Sequence, residues 1–232
     1  MDVEAAVSID PALAGETQTR LLDAAERQFA DRGFEGASLR QITSEAGVNL
    51  AAANYHFGDK ESLFAAVFVR RARAISRDRL ARLEALERTG RPPSVTELVQ
   101  VVIAPMRELW LGTVDGSPHP FLRCMARTLL DPQPFMRGLV QVEFAPFFSR
   151  LLPALQGAVP ALDRTLLIAR VQAMMGAVLF TGARLARFGP VGGPPLTTSA
   201  DAEAALREVT AFCVAGLGAP APAPDHGSPR VA

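Results

Sequence analysis

The stretch SLRQITSEAGVN, residues 38–49, continued as LAAANYHF, residues 50–57, decides the fold. Ser38 followed by Gln41 reads as a capping box, which opens a short helix with Leu39, Ile42 and Ala46 on one face. Gly47 stops that helix, and Asn49 can cap a second one through Phe57. Between them Ala46 lets the two helices approach, Gly47 permits the turn and Val48 plugs the angle, which is the chemistry of a helix-turn-helix. In such a unit the second helix enters the DNA major groove with its N-terminal end toward the backbone and base edges.

Outward from this core the apolar spacing stays helical. Leu22, Ala25 and Phe29 before Gly33 predict a first helix near residues 17–32, and Asp59 can cap a long fourth helix carrying Leu63, Val67 and Ala74. Ser94 and Glu97 form another capping box, opening a fifth helix that holds Leu98, Val102 and Leu109 and is kinked at Pro105. Further helices are predicted over about 120–130, 132–154, 163–187 and 200–217, with Gly189 to Pro195 as an exposed crossover loop. No alternating strand and no internal repeat stands out, so the fold class is all-α: an N-terminal three-helix helix-turn-helix domain followed by a larger helical domain. Residues 1–16 and 218–232 have compositions that rarely pack and are read as a disordered arm and tail.

Composition removes several alternatives. Because 24 Lys+Arg balance 24 Asp+Glu, no global basic field announces a nucleic acid or a membrane, and such a partner must meet a local patch. Residues 17–60 hold five bases (Arg20, Arg27, Arg32, Arg40, Lys60) against six acids (Asp23, Glu26, Asp31, Glu35, Glu45, Asp59), a net of −1. Cys124 and Cys213 form no C-x-x-C pair, so neither a disulfide framework nor a zinc site is indicated. The acidic first residues lack a secretory pattern, and no uninterrupted apolar run reaches a membrane span; a soluble cytoplasmic chain is expected, without a membrane partner. No phosphate loop, zinc-protease motif or nucleophile elbow is present, so neither an enzyme nor a cofactor or metal is expected.

The predicted DNA contacts centre on the second helix of the motif. Asn49 and the following turns lead, Leu50 covers the helix edge, and Ala51, Ala52 and Ala53 are small enough to press into a groove and touch thymine methyls. Asn54, Tyr55 and His56 can donate to phosphate oxygens, although Tyr55 reads equally as packing beside Phe57 and His56 as a cap. Lys60, the lone lysine, stands at a helix start where its charge and the free N–H groups favour the same anion. Arg40 and Thr43 on the preceding helix complete the set. The run Arg70, Arg71, Arg73, Arg77, Arg79 and Arg82 either supplements these contacts or forms a solvated face with an Asp78 to Arg82 pair.

The segment from Thr17 to about Val67 resembles the TetR family of bacterial transcriptional repressors. The resemblance rests on Ala24 and Ala25 with Phe29, Gly33 with Phe34, Ile42 with Ala46, Gly47 and Val48, and Tyr55, His56 and Phe57 with Lys60, Glu61 and Leu63. It implies a homodimer with a DNA-binding domain, here residues 17–60, and a ligand-binding and dimerisation domain, here residues 61–217. It also implies a palindromic double-stranded DNA operator and release by a small-molecule effector. The form NLAAANYHFGDK, residues 49–60, is similar to the PsrA-type branch, which points to a lipid-derived or similarly apolar effector. Asn54 departs from the tyrosine of many members, and Asp59 from their serine.

In the larger domain, Met106, Trp110, Phe121, Cys124, Phe144, Phe148, Met174 and Met175 read either as the lining of an apolar cavity or as plain core. Arg123 and Arg127 can meet a ligand carboxylate or thioester-linked phosphate, or pair with Glu143 or Glu108, and Arg127 is counted with the pocket. The last two helices carry Leu167, Val171, Met174, Val178, Leu206, Val209 and Phe212 at helical spacing. The resemblance makes them the expected dimer contact, a four-helix bundle with the symmetry mate. The competing reading is a helical protein-binding adaptor without DNA affinity; a steep loss of DNA affinity with salt separates the two.

Overall fold

The computed structural model describes residues 15–111, 113–114, 117–130, 133–185 and 198–221. Its helices are α1 (Glu16–Gly36), α2 (Leu39–Ala46), α3 (Leu50–Phe57), α4 (Lys60–Glu87), α5 (Val95–Leu111), α6 (Pro120–Leu130), α7 (Met136–Ala158), α8 (Arg164–Leu185) and α9 (Ser199–Gly218). The predicted loop at 189–195 lies outside the described residues. Between α5 and α6, Thr113–Val114 (β1) and Ser117–Pro118 (β2) pair antiparallel, Thr113 with Pro118 and Val114 with Ser117. Two residues per strand are too few for alternation to show in a sequence.

Local chemistry accounts for the helix ends. Ser38 Oγ accepts from the Gln41 amide at 3.3 Å while Gln41 Oε1 accepts from the Ser38 amide at 3.2 Å, closing the box at the start of α2. Gly47 takes φ 64°, a left-handed conformation that costs glycine little, and the next amide, Val48 N, donates to Thr43 O at 3.0 Å. Asp59 Oδ1 accepts from Ser62 N at 2.7 Å and starts α4, and Ser94 Oγ with Glu97 starts α5. α1 continues past its predicted end to Gly36, but Gly33, at φ 73° and ψ 178°, breaks its helical path. That break lets Phe34 stack beside Phe29, where both meet the Phe64 ring edge-on. α7 starts later than predicted, at Met136, and runs to Ala158 through Pro146 and Pro153.

Two apolar cores share α4. Its first turns (Leu63, Phe64, Val67, Val69) close the core of α1, α2 and α3, to which α6 and α7 add Cys124, Met136 and Leu139. Its later turns (Ile75, Leu83) enter the second core, built on α5 to α9 around Val102, Phe121, Phe147, Leu151 and Leu167. The N-terminal core therefore continues past residue 60.

The tail reading is revised at its start. Arg170 Nη1 donates to Leu217 O at 3.1 Å and Arg170 Nη2 to Pro220 O at 2.8 Å, so residues 217–220 are held against α8.

The expected dimer face needs correction as well. Leu167, Val171, Met174, Val178, Leu206 and Val209 are buried in the subunit's own core, because the i, i+3, i+4 spacing that marks a helix does not say which neighbour it packs on. Phe212 differs from them, at 66% exposed. The outward side of α8 carries Ile168, Ala173, Gly176 and Phe180, and that of α9 carries Ala211, Phe212, Ala215 and Gly216. Among the described residues, Arg164–Gly182 is also long and apolar enough, by length and composition alone, to cross a membrane, and only 28% of that window is buried.

Candidate nucleic-acid interface

α3 is short, capped and turned outward. Asn49 Oδ1 accepts from Ala52 N at 2.8 Å, which fixes the first turn with the side-chain oxygen and does not use the amide N–H donors of this exposed residue. Ala53 and Phe57 anchor the inner side, while Asn49, Leu50, Ala51, Asn54 and Tyr55 are exposed and Ala52 and His56 half-buried. Tyr55 is 86% exposed, so its ring does not pack beside Phe57 in the core. Ala53 is buried and leaves the groove-facing set.

α2 presents Arg40 to solvent. Thr43 is withdrawn: it is buried, and its hydroxyl donates to Arg40 O at 3.1 Å within its own helix. Lys60 Nζ donates to Phe34 O at 3.0 Å and to Ala37 O at 3.4 Å and lies 4.4 Å from the Phe34 ring centroid. It thus ties α4 to the end of α1 and keeps one N–H for another acceptor. Arg20, which the sequence reading left out of the contact set, is exposed beside the turn, with Nη1 4.0 Å from where a side chain on Gly47 would begin.

The net charge of −1 over residues 17–60 misleads because three of its six acids, Asp23, Glu26 and Asp31, are answered by arginines from outside the segment. Arg70 donates to Asp23 and Glu26 at 2.7 Å each, Arg71 donates twice to Glu26 at 2.9 Å, and Arg123 pairs with Asp31 at 3.0 Å. Arg27 and Gln28 hold Glu45 at 2.6 Å. The arginine run is split: Arg70, Arg71 and Arg73 pair with acids of α1 and α7, while Arg77 and Arg82 stay on the exposed side of α4. Arg73 pairs with Glu143, Arg79 is buried, and Arg82 with Asp78 at 3.0 Å is the surface pair that was foreseen. Arg123 takes Asp31 rather than Glu143, and the Arg127 and Glu108 side chains lie outside the described residues.

Behind this network lies an apolar cavity of about 510 Å³. Met106, Phe121, Cys124, Phe144, Phe148 and Met175 line it. Met174 does not, being buried in the core, and neither does Trp110, which packs so closely on Gly182 that a side chain there would begin 3.0 Å from its Nε1. α4 supplies a wall the sequence reading missed: Phe64, Phe68, Ile75 and Arg79. Their spacing of four, seven and four was visible as a single helical face. Burial holds the Arg79 guanidinium down to about 10, partly offset by neighbouring Asp78, so it stays charged at neutral pH.

His119 marks the junction of the two halves. Its Nδ1 accepts from Phe121 N at 3.1 Å, capping α6, and lies 3.7 Å from Glu26. Burial, and then the positive charge of Arg71, hold it below the usual histidine range; Glu26 pulls the other way, and Arg70 and Arg123 add to the depression. A depressed histidine binds its proton more readily in the unfolded chain. Its stabilising contribution is therefore full above the ordinary histidine pKa and is lost as pH falls through it toward the folded value. The thermal midpoint is expected to drop between about pH 7 and about pH 5, and His119→Asn, which keeps an acceptor but does not titrate there, is expected to flatten that part of the profile. An equally steep fall in the variant refutes the assignment.

A capped, outward-turned helix behind a left-handed glycine turn, carried by a predominantly helical body, is the geometry of a helix-turn-helix transcription regulator. Residues 21–67 match the description "Bacterial regulatory proteins, tetR family", and residues 100–216 match "Tetracyclin repressor-like, C-terminal domain". The chain belongs to the TetR family. Among curated relatives, the HTH-type transcriptional repressor AcnR of Corynebacterium glutamicum is 41% identical over 51 residues, 22% of this chain and 27% of that one. AcnR of Corynebacterium diphtheriae is 34% identical over 95 residues, 40% of this chain and 44% of that one. The matched stretches thus span less than half the length of these relatives. The solved structure of the fatty acid degradation regulator FadR from Bacillus halodurans shares the fold, with a TM-score of 0.65 at 16% identity, covering 88% of this chain and 97% of that one.

Proposed function

We propose that the protein is a DNA-binding transcriptional repressor that sits on a palindromic operator as a homodimer and is released when a small apolar or amphiphilic molecule fills the cavity. The observation that carries this reading is α3, an exposed helix fixed at its first turn by Asn49 and presenting Tyr55 to solvent. Similarity to curated repressors supports it. Arg40, Arg20 and the remaining N–H of Lys60 are the cations available for phosphate, with Leu50, Ala51, Ala52, Asn54 and His56 along the helix.

The fold offers a route from cavity to reader. α6 lines the cavity with Phe121, Cys124, Met125 and Thr128, while His119 and Arg123 at its start touch Glu26 and Asp31 of α1. A guest that shifts α6 or α4 moves the reading heads relative to each other. Half-sites about 34 Å apart lose register with small shifts. The effector needs only a higher affinity for the released state than for the bound one.

Selecting duplexes from a random pool and titrating the best with salt tests the proposal. A steep fall in affinity supports it, and failure to retain any duplex at low ionic strength leaves the adaptor reading instead. Asn49→Asp sharpens the test. Aspartate caps as well as asparagine, so stability should hold within about 0.5 kcal/mol, yet it removes the amide donor and adds charge beside phosphates. Operator affinity is expected to fall at least about tenfold, of the order of 1–3 kcal/mol. An unchanged affinity takes Asn49 off the interface.

A further inference from the structure

Arg79 is the charged exception in an apolar cavity wall. Only 2% of it is exposed to solvent, and it lines the cavity beside Met106, Phe144 and Phe148. Its Nε and Nη2 both donate to one neutral acceptor, Val102 O, at 3.0 and 2.8 Å. Val102 follows Val101, the residue whose carbonyl Pro105, lacking an N–H, cannot serve within α5. The Phe144 and Phe147 rings flank the guanidinium, with centroids 5.7 and 5.3 Å from its central carbon.

Among the described residues no carboxylate pairs with Arg79. Its neighbour Asp78 is held by Arg82 at 3.0 Å, and Glu143 by Arg73 at 3.1 Å. A buried cation with one carbonyl and two ring faces is under-compensated, since burial of a charge is costly without a counter-charge. A tie between α4 and α5 would require only a neutral donor. The positive charge has a use if the cavity takes a guest that brings a negative one.

We infer that the cavity binds an organic monoanion, an apolar body with one carboxylate, whose headgroup pairs with Arg79 while its body lies among Phe64, Phe68, Phe121, Phe144 and Phe148. The volume of about 510 Å³ falls inside the range of about 300–1,000 Å³ typical of small-molecule sites. A guanidinium fork suits a planar carboxylate, and exclusion of water strengthens the pair. The inference rests on the reading of the cavity as the effector site and adds to it the charge of the guest.

Titration of the full-length protein with dodecanoate and with dodecanol, each below its aggregation limit and followed by calorimetry and by the emission of Trp110, separates charge from chain. The carboxylate is expected to bind at least about tenfold tighter than the alcohol. Arg79→Met is expected to erase that preference, the acid then binding no tighter than the alcohol; Arg79→Gln serves the same purpose should the methionine variant not fold. Equal affinity for acid and alcohol, binding of neither, or a preference that survives in both variants overturns the inference. Release of operator DNA is measured in parallel. Arg79-dependent carboxylate binding without release sustains the inference and removes the effector from the proposed function. No operator binding at all, with carboxylate selectivity intact, defeats the repressor reading alone.

Discussion

Phe212→Arg is expected to give a folded monomer whose operator affinity is lower by roughly a hundredfold or more, the scale on which linked binding sites reinforce one another. Phe212 is 66% exposed, so replacing it should change subunit stability by no more than about 0.5 kcal/mol. It stands among Ala211, Ala215 and Gly216 on α9, next to the outward side of α8 with Ile168, Gly176 and Phe180. Small residues let backbones approach, and the phenylalanines supply area. A guanidinium on each copy would bring two like charges to that seam. Sedimentation velocity, thermal melting and a gel-shift titration check the three parts. A variant that remains dimeric, or a monomer that binds DNA undiminished, counts against the interface.

Glu26→Ala is expected to lower stability by about 3 kcal/mol in urea unfolding at neutral pH, the penalty for breaking a buried ion cluster by removing one partner. Glu26 is 3% exposed and accepts one bond from Arg70 and two from Arg71. The figure sits at the low end of the range because the Arg71 side chain is 33% exposed and can regain water, and because Arg70 retains Asp23. Glu26→Gln, which keeps acceptor and donor but not the charge, should fall between the two. A loss below about 1 kcal/mol for the alanine variant would mean that the arginines hydrate freely and the cluster holds little.

What a sequence can disclose here follows from how far apart the interacting residues stand. The ends of α2, α3, α4 and α5 were legible in Ser38, Gly47, Asn49, Asp59 and Ser94 because capping acts over three or four residues. The side on which α8 and α9 face their own core was not, since alanine, leucine, valine and phenylalanine occur nearly all round these helices and periodicity then has no preferred direction. Thr43 is a different case: four residues after Leu39, it lies on the apolar face of α2 and turns inward, its hydroxyl donating to Arg40 O. Arg70, Arg71 and Arg123 find their acids across long loops of chain, from α1 to α4 and α6, and no local pattern predicts such pairs. Arg79 belongs to both kinds: its place on the Phe64, Phe68, Ile75 face was readable, its burial was not.

The placement of those partners bears on protein engineering. A chimera cut at residue 60 would separate Asp23, Glu26 and Asp31 from Arg70, Arg71 and Arg123, and would also strip the core around Phe29 of Leu63, Phe64, Val67 and Val69 from α4 and of Cys124, Met136 and Leu139 from α6 and α7. Transplanting this reader onto a foreign sensor body therefore means carrying α4 along through Arg71 and choosing a recipient that supplies equivalents of Arg123, Cys124, Met136 and Leu139.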